Sequence, residues 1–79
     1  MCFVRAKIAG SLIDSERVAR IQTLDGVEEV VVSHRQVQRG RLLAFTIHET
    51  GKKVLVELPR ESTSGRWRVW VARKLVEKA

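Results

Sequence analysis

Apolar and polar residues alternate along most of the chain with a period of two. Between Cys2 and Ile8, the residues Cys2, Val4, Ala6 and Ile8 fall on one side and Arg5 and Lys7 on the other, the pattern of a strand with one wet face. Val27 to Ser33 and Leu42 to Glu49 read as strands for the same reason, and in the second of these Leu43, Phe45 and Ile47 are expected to face inward. Lys53 to Leu58 puts Val54, Val56 and Leu58 on one side, and Pro59, which has no N–H for a sheet ladder, ends it. Glu49-Thr50-Gly51-Lys52 between them reads as a hairpin turn. A polar loop from Pro59 to Gly65 leads to a strand from Arg66 to Val71, and the tail from Ala72 is expected to form a short helical turn or a last strand.

One stretch is open to two readings. Ser15 can cap a helix carrying Val18, Ile21 and Leu24 on one face, with Gly26 just past its end. Alternatively, Ala19, Ile21 and Thr23 alternate into a hairpin at Asp25-Gly26, answered from Val27 onward. Asp-Gly between alternating runs is a strong hairpin signal, so a strand is favoured; a helix over 14–24 would make the domain α+β. Glycines at 10, 26, 40, 51 and 65 split the chain into short segments, the rhythm of a small sandwich or barrel. The expectation is one all-β domain over residues 1–79, a small barrel of five to six short antiparallel strands.

Composition narrows the core. Two Trp, two Phe, one Met and no Tyr among 79 residues leave Val, Leu and Ile to fill the interior. A core of this size supplies roughly 3–5 kcal/mol, so self-association would help. No apolar run approaches the ~20 residues of a membrane-crossing helix, and charges at Arg5 and Lys7 interrupt the start too early for a signal-peptide core. A single cysteine, Cys2, excludes an internal disulfide and fits a reducing compartment, so a cytoplasmic location is expected.

The order of strands, together with Leu55-Val56-Glu57-Leu58-Pro59, Gly65-Arg66-Trp67-Arg68-Val69-Trp70-Val71 and Leu75-Val76, resembles the SH3-like barrels over residues 16–79. The resemblance implies a tight hairpin, a strand rich in Trp and Val, a one-turn helix and a closing strand. Many such bacterial domains bind RNA or DNA, and others bind proteins or metals. The peptide groove of eukaryotic SH3 domains needs exposed aromatics including Tyr, which this chain lacks.

Charge sharpens the choice. The formal net charge is +6, and residues 51–79 carry eight of the fifteen basic side chains against three glutamates. A local positive field is therefore expected in the C-terminal third. On a strand from Arg66 to Val71, Trp67, Val69 and Val71 share the natural core face, leaving Trp70 outside between Arg66 and Arg68. Guanidinium groups neutralise phosphates and an exposed indole stacks on an unpaired base. Arg73, Lys74, Lys52 and Lys53 can extend this patch. The structural alternative is that Trp70 packs under the tail and Arg68 pairs across the sheet with Glu57.

Other candidates are weaker. The hydroxyls of Arg60-Glu61-Ser62-Thr63-Ser64-Gly65 can meet phosphates, although a mobile hairpin loop has the same composition. Gln36 and Gln38, in the basic run His34 to Arg41, can bond base edges, or the run can be a connection with Val37 tucked inward. Cys2, His34 and His48 are the soft ligand types, but their separations match no metal-binding spacing, and a buried or inert Cys2 is favoured. The opening Met1-Cys2 is similar to that of small nickel-handling maturation chaperones, without the proline that often follows there. No nucleophile–base spacing, phosphate loop or carboxylate pair points to catalysis, so neither an enzyme nor a cofactor is expected. Three functions follow as expectations. The first is a nucleic-acid-binding barrel using Arg66, Arg68, Trp70, Arg73, Lys74, Lys52 and Lys53. The second is an assembly module that forms a homo-oligomer through Leu42, Leu55 and Trp70, and the third a metal carrier through Cys2. No membrane partner is expected.

Overall fold

Residues 1–79, all described by a computed structural model, form two antiparallel sheets and no α-helix. The strands are β1 (Cys2–Arg5), β2 (Lys7–Gly10), β3 (Glu16–Thr23), β4 (Gly26–Ser33), β5 (Val37–Gln38), β6 (Arg41–Thr50), β7 (Lys53–Glu57), β8 (Arg68–Ala72) and β9 (Val76–Lys78). Single 3₁₀ turns at His34–Gln36 and Arg73–Leu75 precede β5 and β9. The larger sheet runs β8-β7-β6-β1-β9, with β5 added on β6; the smaller runs β2-β3-β4. The tail from Ala72 thus forms both a helical turn and a last strand.

A single bent segment links the sheets. The alternating run from Cys2 gives its first half, β1, to β6 and β9, and its second half, β2, to β3. At the bend, the Ala6 amide donates to the Gly40 carbonyl at 3.0 Å. Arg39 and Gly40 both have positive φ (52° and 75°), as a two-residue turn closing the Gln38–Arg41 pair requires.

The stretch 14–24 is a strand. β3 pairs with β4 without interruption from Glu16↔Ser33 to Thr23↔Gly26. The Thr23 hydroxyl accepts from the Asp25 amide at 3.1 Å and donates to the Gly26 carbonyl at 2.7 Å, and Gly26 takes φ 126°. A strand buries Ala19, Ile21 and Thr23 and leaves Leu24 on the surface; a helix would have needed Leu24 inside.

The core is aliphatic. Val4, Ile21, Val30, Val32 and Leu42 meet Val54, Val56, Leu58, Val69 and Val71, all at 2% exposure or less, and no aromatic ring joins them. Two expected facings are reversed. On β6 the inward residues are Leu42 and Ala44, while Leu43 is half-buried and Phe45 and Ile47 are each 40% exposed. Register decides this: Leu42 lies opposite Val4 and Ala44 opposite Cys2, so they share the inward face of β1. The β6–β7 ladder then shifts between Thr46 and His48, so Ile47 is an extra residue. Trp67 is not in the core either. The Trp67 carbonyl accepts from the amide of the buried Leu58 at 2.8 Å, one step past the Glu57↔Arg68 pair, yet the residue is 52% exposed.

Candidate functional site

Each outward residue of β8 faces a residue of β7: Arg68 lies opposite Glu57, Trp70 opposite Leu55 and Ala72 opposite Lys53. Arg68 Nε reaches Glu57 at 3.3 Å, the cross-sheet pair that the alternation allowed. Trp70 is on the outer face but only half-exposed. Lys53 Nζ sits 4.8 Å from its ring centre, and His48 meets the ring edge-on at 6.3 Å.

The β6–β7 turn is tied to the end of β8 by Arg73. Its amide donates to the Lys52 carbonyl at 2.7 Å, its Nε to the Gly51 carbonyl at 2.9 Å, and its Nη1 to Glu49 at 2.6 Å. Lys52, Lys53, Trp70 and Arg73 therefore come together, and Lys74 follows Arg73 in the exposed part of the 3₁₀ turn. Arg66 does not belong to this group. It lies at the opposite end of β8, 3.2 Å from Asp25 and 3.8 Å from Glu28.

The cations divide by type. Seven arginines have a carboxylate within 4.0 Å, whereas none of the five lysines does. The arginine pairs of this face are about half exposed, and such surface pairs hold by roughly 0–1 kcal/mol. A phosphate can compete for Arg66 and Arg68; Lys52, Lys53 and Lys74 have no carboxylate to give up.

Trp67, expected in the core, is instead an open ring at the end of β8, on the parity of Val69 and Val71 and not on the outer face that carries Trp70. The Leu24 amide donates to the Trp70 carbonyl at 2.9 Å, which sets the β3–β4 turn beside β8. Leu24, Val27 and Trp67 are all more than half exposed. Alternation gives Trp67 the parity of a core residue, and its exposure beside the buried Leu58 is not visible in alternation.

The loop 60–65 is anchored. Thr63 donates its amide to Glu29 O at 2.8 Å, and the buried Ser62 hydroxyl accepts from the Arg66 amide at 3.0 Å. Ser64 donates to the Glu28 carboxylate at 2.6 Å. That bond, the Ser62 hydroxyl and the Arg66 charge hold the Glu28 carboxyl below the usual carboxylate range. In the basic run, Gln36 caps the 3₁₀ turn by accepting from the Ser33 amide at 3.0 Å, and Val37 packs against the core.

A second cationic region was not foreseen. A groove of about 730 Å³ opens beside the bend, where Arg5, Ala6 and Lys7 meet Arg20, Ile21 and Gln22 of β3, Val27 to Glu29 of β4, the loop residues Thr63 and Ser64, and Leu75. Lys7 lies directly opposite Arg20 in the β2–β3 register, and Arg5 directly opposite Arg41 in the β1–β6 register. Glu29 takes Arg20 at 2.6 Å, while Glu77 serves both Arg41 at 3.1 Å and Arg5 at 4.0 Å.

The contacts expected for assembly and for metal are rearranged. Leu42 is fully buried and so is not an exposed contact residue; Leu55 is half-buried. The Cys2 thiol is 1% exposed. No group of three or more His, Cys, Asp or Glu is placed to hold a metal ion, and no helix is long and apolar enough to cross a membrane.

No family model, curated protein or solved structure matches the chain.

Proposed function

We propose that the protein binds single-stranded nucleic acid along β8 and the β6–β7 turn. The observation that carries this reading is Lys53, without a carboxylate partner, 4.8 Å from the half-buried ring of Trp70, with the exposed and likewise unpaired Lys52 and Lys74 next to it in the turn and next to Arg73. The lysines and Arg73 meet backbone phosphates at one end of the face. Trp67, exposed at the start of β8 on the opposite parity from Trp70, offers a base the open ring at the other end, three residues or roughly 10 Å along the chain, so that the nucleic-acid strand wraps the end of β8. Trp70 contributes less stacking than an open ring, because Lys53 already covers one of its faces. An unpaired base is required, since a base in a duplex keeps its own stacking partners.

Fluorescence anisotropy with a labelled 12-nucleotide single strand tests this at several salt concentrations. Affinity falls linearly with salt on logarithmic axes, because each neutralised phosphate releases a counterion. The variant Lys52→Ala with Lys53→Ala flattens that slope by roughly 0.7 per lysine removed. Absence of binding at low salt, or an unchanged slope in the double variant, would dismiss the reading.

A further inference from the structure

The groove at the bend presents an electrostatic problem that the protein alone does not solve. Residues directly opposite on antiparallel strands share a face with Cβ atoms ≈ 4.5–5.5 Å apart, and like charges so placed repel. Lys7 and Arg20 stand in this relation on β2 and β3. Glu29 at 2.6 Å answers Arg20, but Lys7 has no carboxylate within 4.0 Å. The third cation of the groove wall, Arg5, has only a 4.0 Å contact with Glu77, which Arg41 holds more closely at 3.1 Å. Glu28, the remaining acid in the groove, is engaged by the Ser64 hydroxyl at 2.6 Å. Positive charge at the bend is thus left over on Lys7 and Arg5, within three residues of one strand.

The rest of the groove is not a bare anion cradle. Val27, Leu75 and Ala6 line it with apolar surface, and Gln22 and Thr63 add exposed polar groups. Its volume of about 730 Å³ lies in the range of small-ligand sites, ≈ 300–1,000 Å³. We infer that this groove binds a nucleoside monophosphate unit, with the phosphate between Lys7, Arg5 and Arg20 and the nucleoside against Val27 and Leu75. The phosphate removes the cross-strand repulsion, and the apolar wall takes a ring that inorganic phosphate does not possess. The groove borders the β8 face through Glu28, 3.8 Å from Arg66, but its phosphate position uses none of the cations of that face.

The same chemistry comes as a free nucleotide or as one unit of a strand, and the test separates them. Backbone amide shifts of the ¹⁵N-labelled protein are followed during titration with adenosine 5′-monophosphate, adenosine, inorganic phosphate and a 12-nucleotide single strand. Adenosine monophosphate is expected to shift amides of residues 5–7 and 20–22, with adenosine and inorganic phosphate each binding at least tenfold more weakly. Lys7→Ala weakens the monophosphate at least tenfold, and Lys7→Arg retains it. Because Lys7 only repels Arg20 in the free protein, Lys7→Ala melts no lower than the parent, which shows that it folds. A lower melting temperature, monophosphate binding unchanged by Lys7→Ala, or equal affinity for inorganic phosphate overturns the inference. Monophosphate binding without strand binding supports the groove and dismisses the β8 face; strand binding without monophosphate binding does the reverse.

Discussion

On β8, basic residues that are close in the chain have mostly found acidic neighbours. Arg68 faces Glu57 in register, Arg73 reaches Glu49, and Arg66 is shared by Asp25 and Glu28. At the bend between β1 and β2 the cations come from four strands and stand opposite one another in two pairs, with too few carboxylates to go round. A dense run of charge in a sequence therefore overstates the field it makes, since a sheet gives each outward residue a cross-strand partner that can cancel it. At the bend Arg20, opposite Glu29 on β4, and Arg41, held by Glu77, are cancelled in the same way, while Lys7 and Arg5 face other cations and keep their charge. The hairpin face keeps its positive field only where lysines, rather than arginines, occupy the turn.

Both regions rest on one interior, so the bluntest way to break the comparison is to open that interior. Leu42 lies opposite Val4 of β1 on the inward face of β6, next to Arg41, and is fully buried. Leu42→Ala is expected to cost about 2–5 kcal/mol, most of the stability of so small a domain, and both anion-binding activities are lost together. Thermal melting followed by circular dichroism measures this; a loss under 1 kcal/mol would show that the two regions do not share this support.

Removing an exposed ring separates them. Trp67→Ala should weaken single-strand binding by roughly 1–3 kcal/mol while leaving melting and monophosphate binding unaltered. Equal loss at both places would mean that one ligand spans them. A gentler probe is the acid side of the stability curve. Glu28 is held below its ordinary value chiefly by the Ser64 and Ser62 hydroxyls, so its folded pKa is the lower of the two states. Its contribution is fully present above the ordinary glutamate range and is lost as pH falls through the folded value. Glu28→Gln should therefore be less stable near neutrality and lose less stability on acidification than the parent. Parallel curves for the two proteins would show that the loop anchor between β4 and the 60–65 segment is energetically silent.

How far each feature could be read in advance depends on its physical origin. The Asp25-Gly26 turn and the stop at Pro59 are local, and each marks the boundary found there; alternation at Cys2–Ile8 marks extended chain but not the break at Ala6 that sends β1 and β2 to different sheets. The facing of Leu42 to Ile47 is not local. Leu42-Leu43-Ala44-Phe45 is apolar at every position, so the larger side chains pointed to the wrong parity until pairing with β1 set it. The same holds for Trp67, which shares the parity of Val69 and bonds the buried Leu58 through its carbonyl, yet lies 52% exposed at the end of the strand. On the β8 face, residues contiguous in the chain marked the right strand, while their carboxylate partners lie up to 41 residues away, as with Arg66 and Asp25. The groove was illegible for the strongest version of that reason, since its charge exists only in the register between β1, β2, β3 and β6.

The buried sulfur of Cys2 has a further consequence. It is flanked by Ala44 of β6 on one side and Lys78 of β9 on the other, and it is the only thiol in the chain. A maleimide or iodoacetamide can reach it only after the first strand has lifted away from its neighbours, so the rate of alkylation reports how often that end of the molecule breathes. One native atom thus serves as a clock for local opening, without any label having to be introduced.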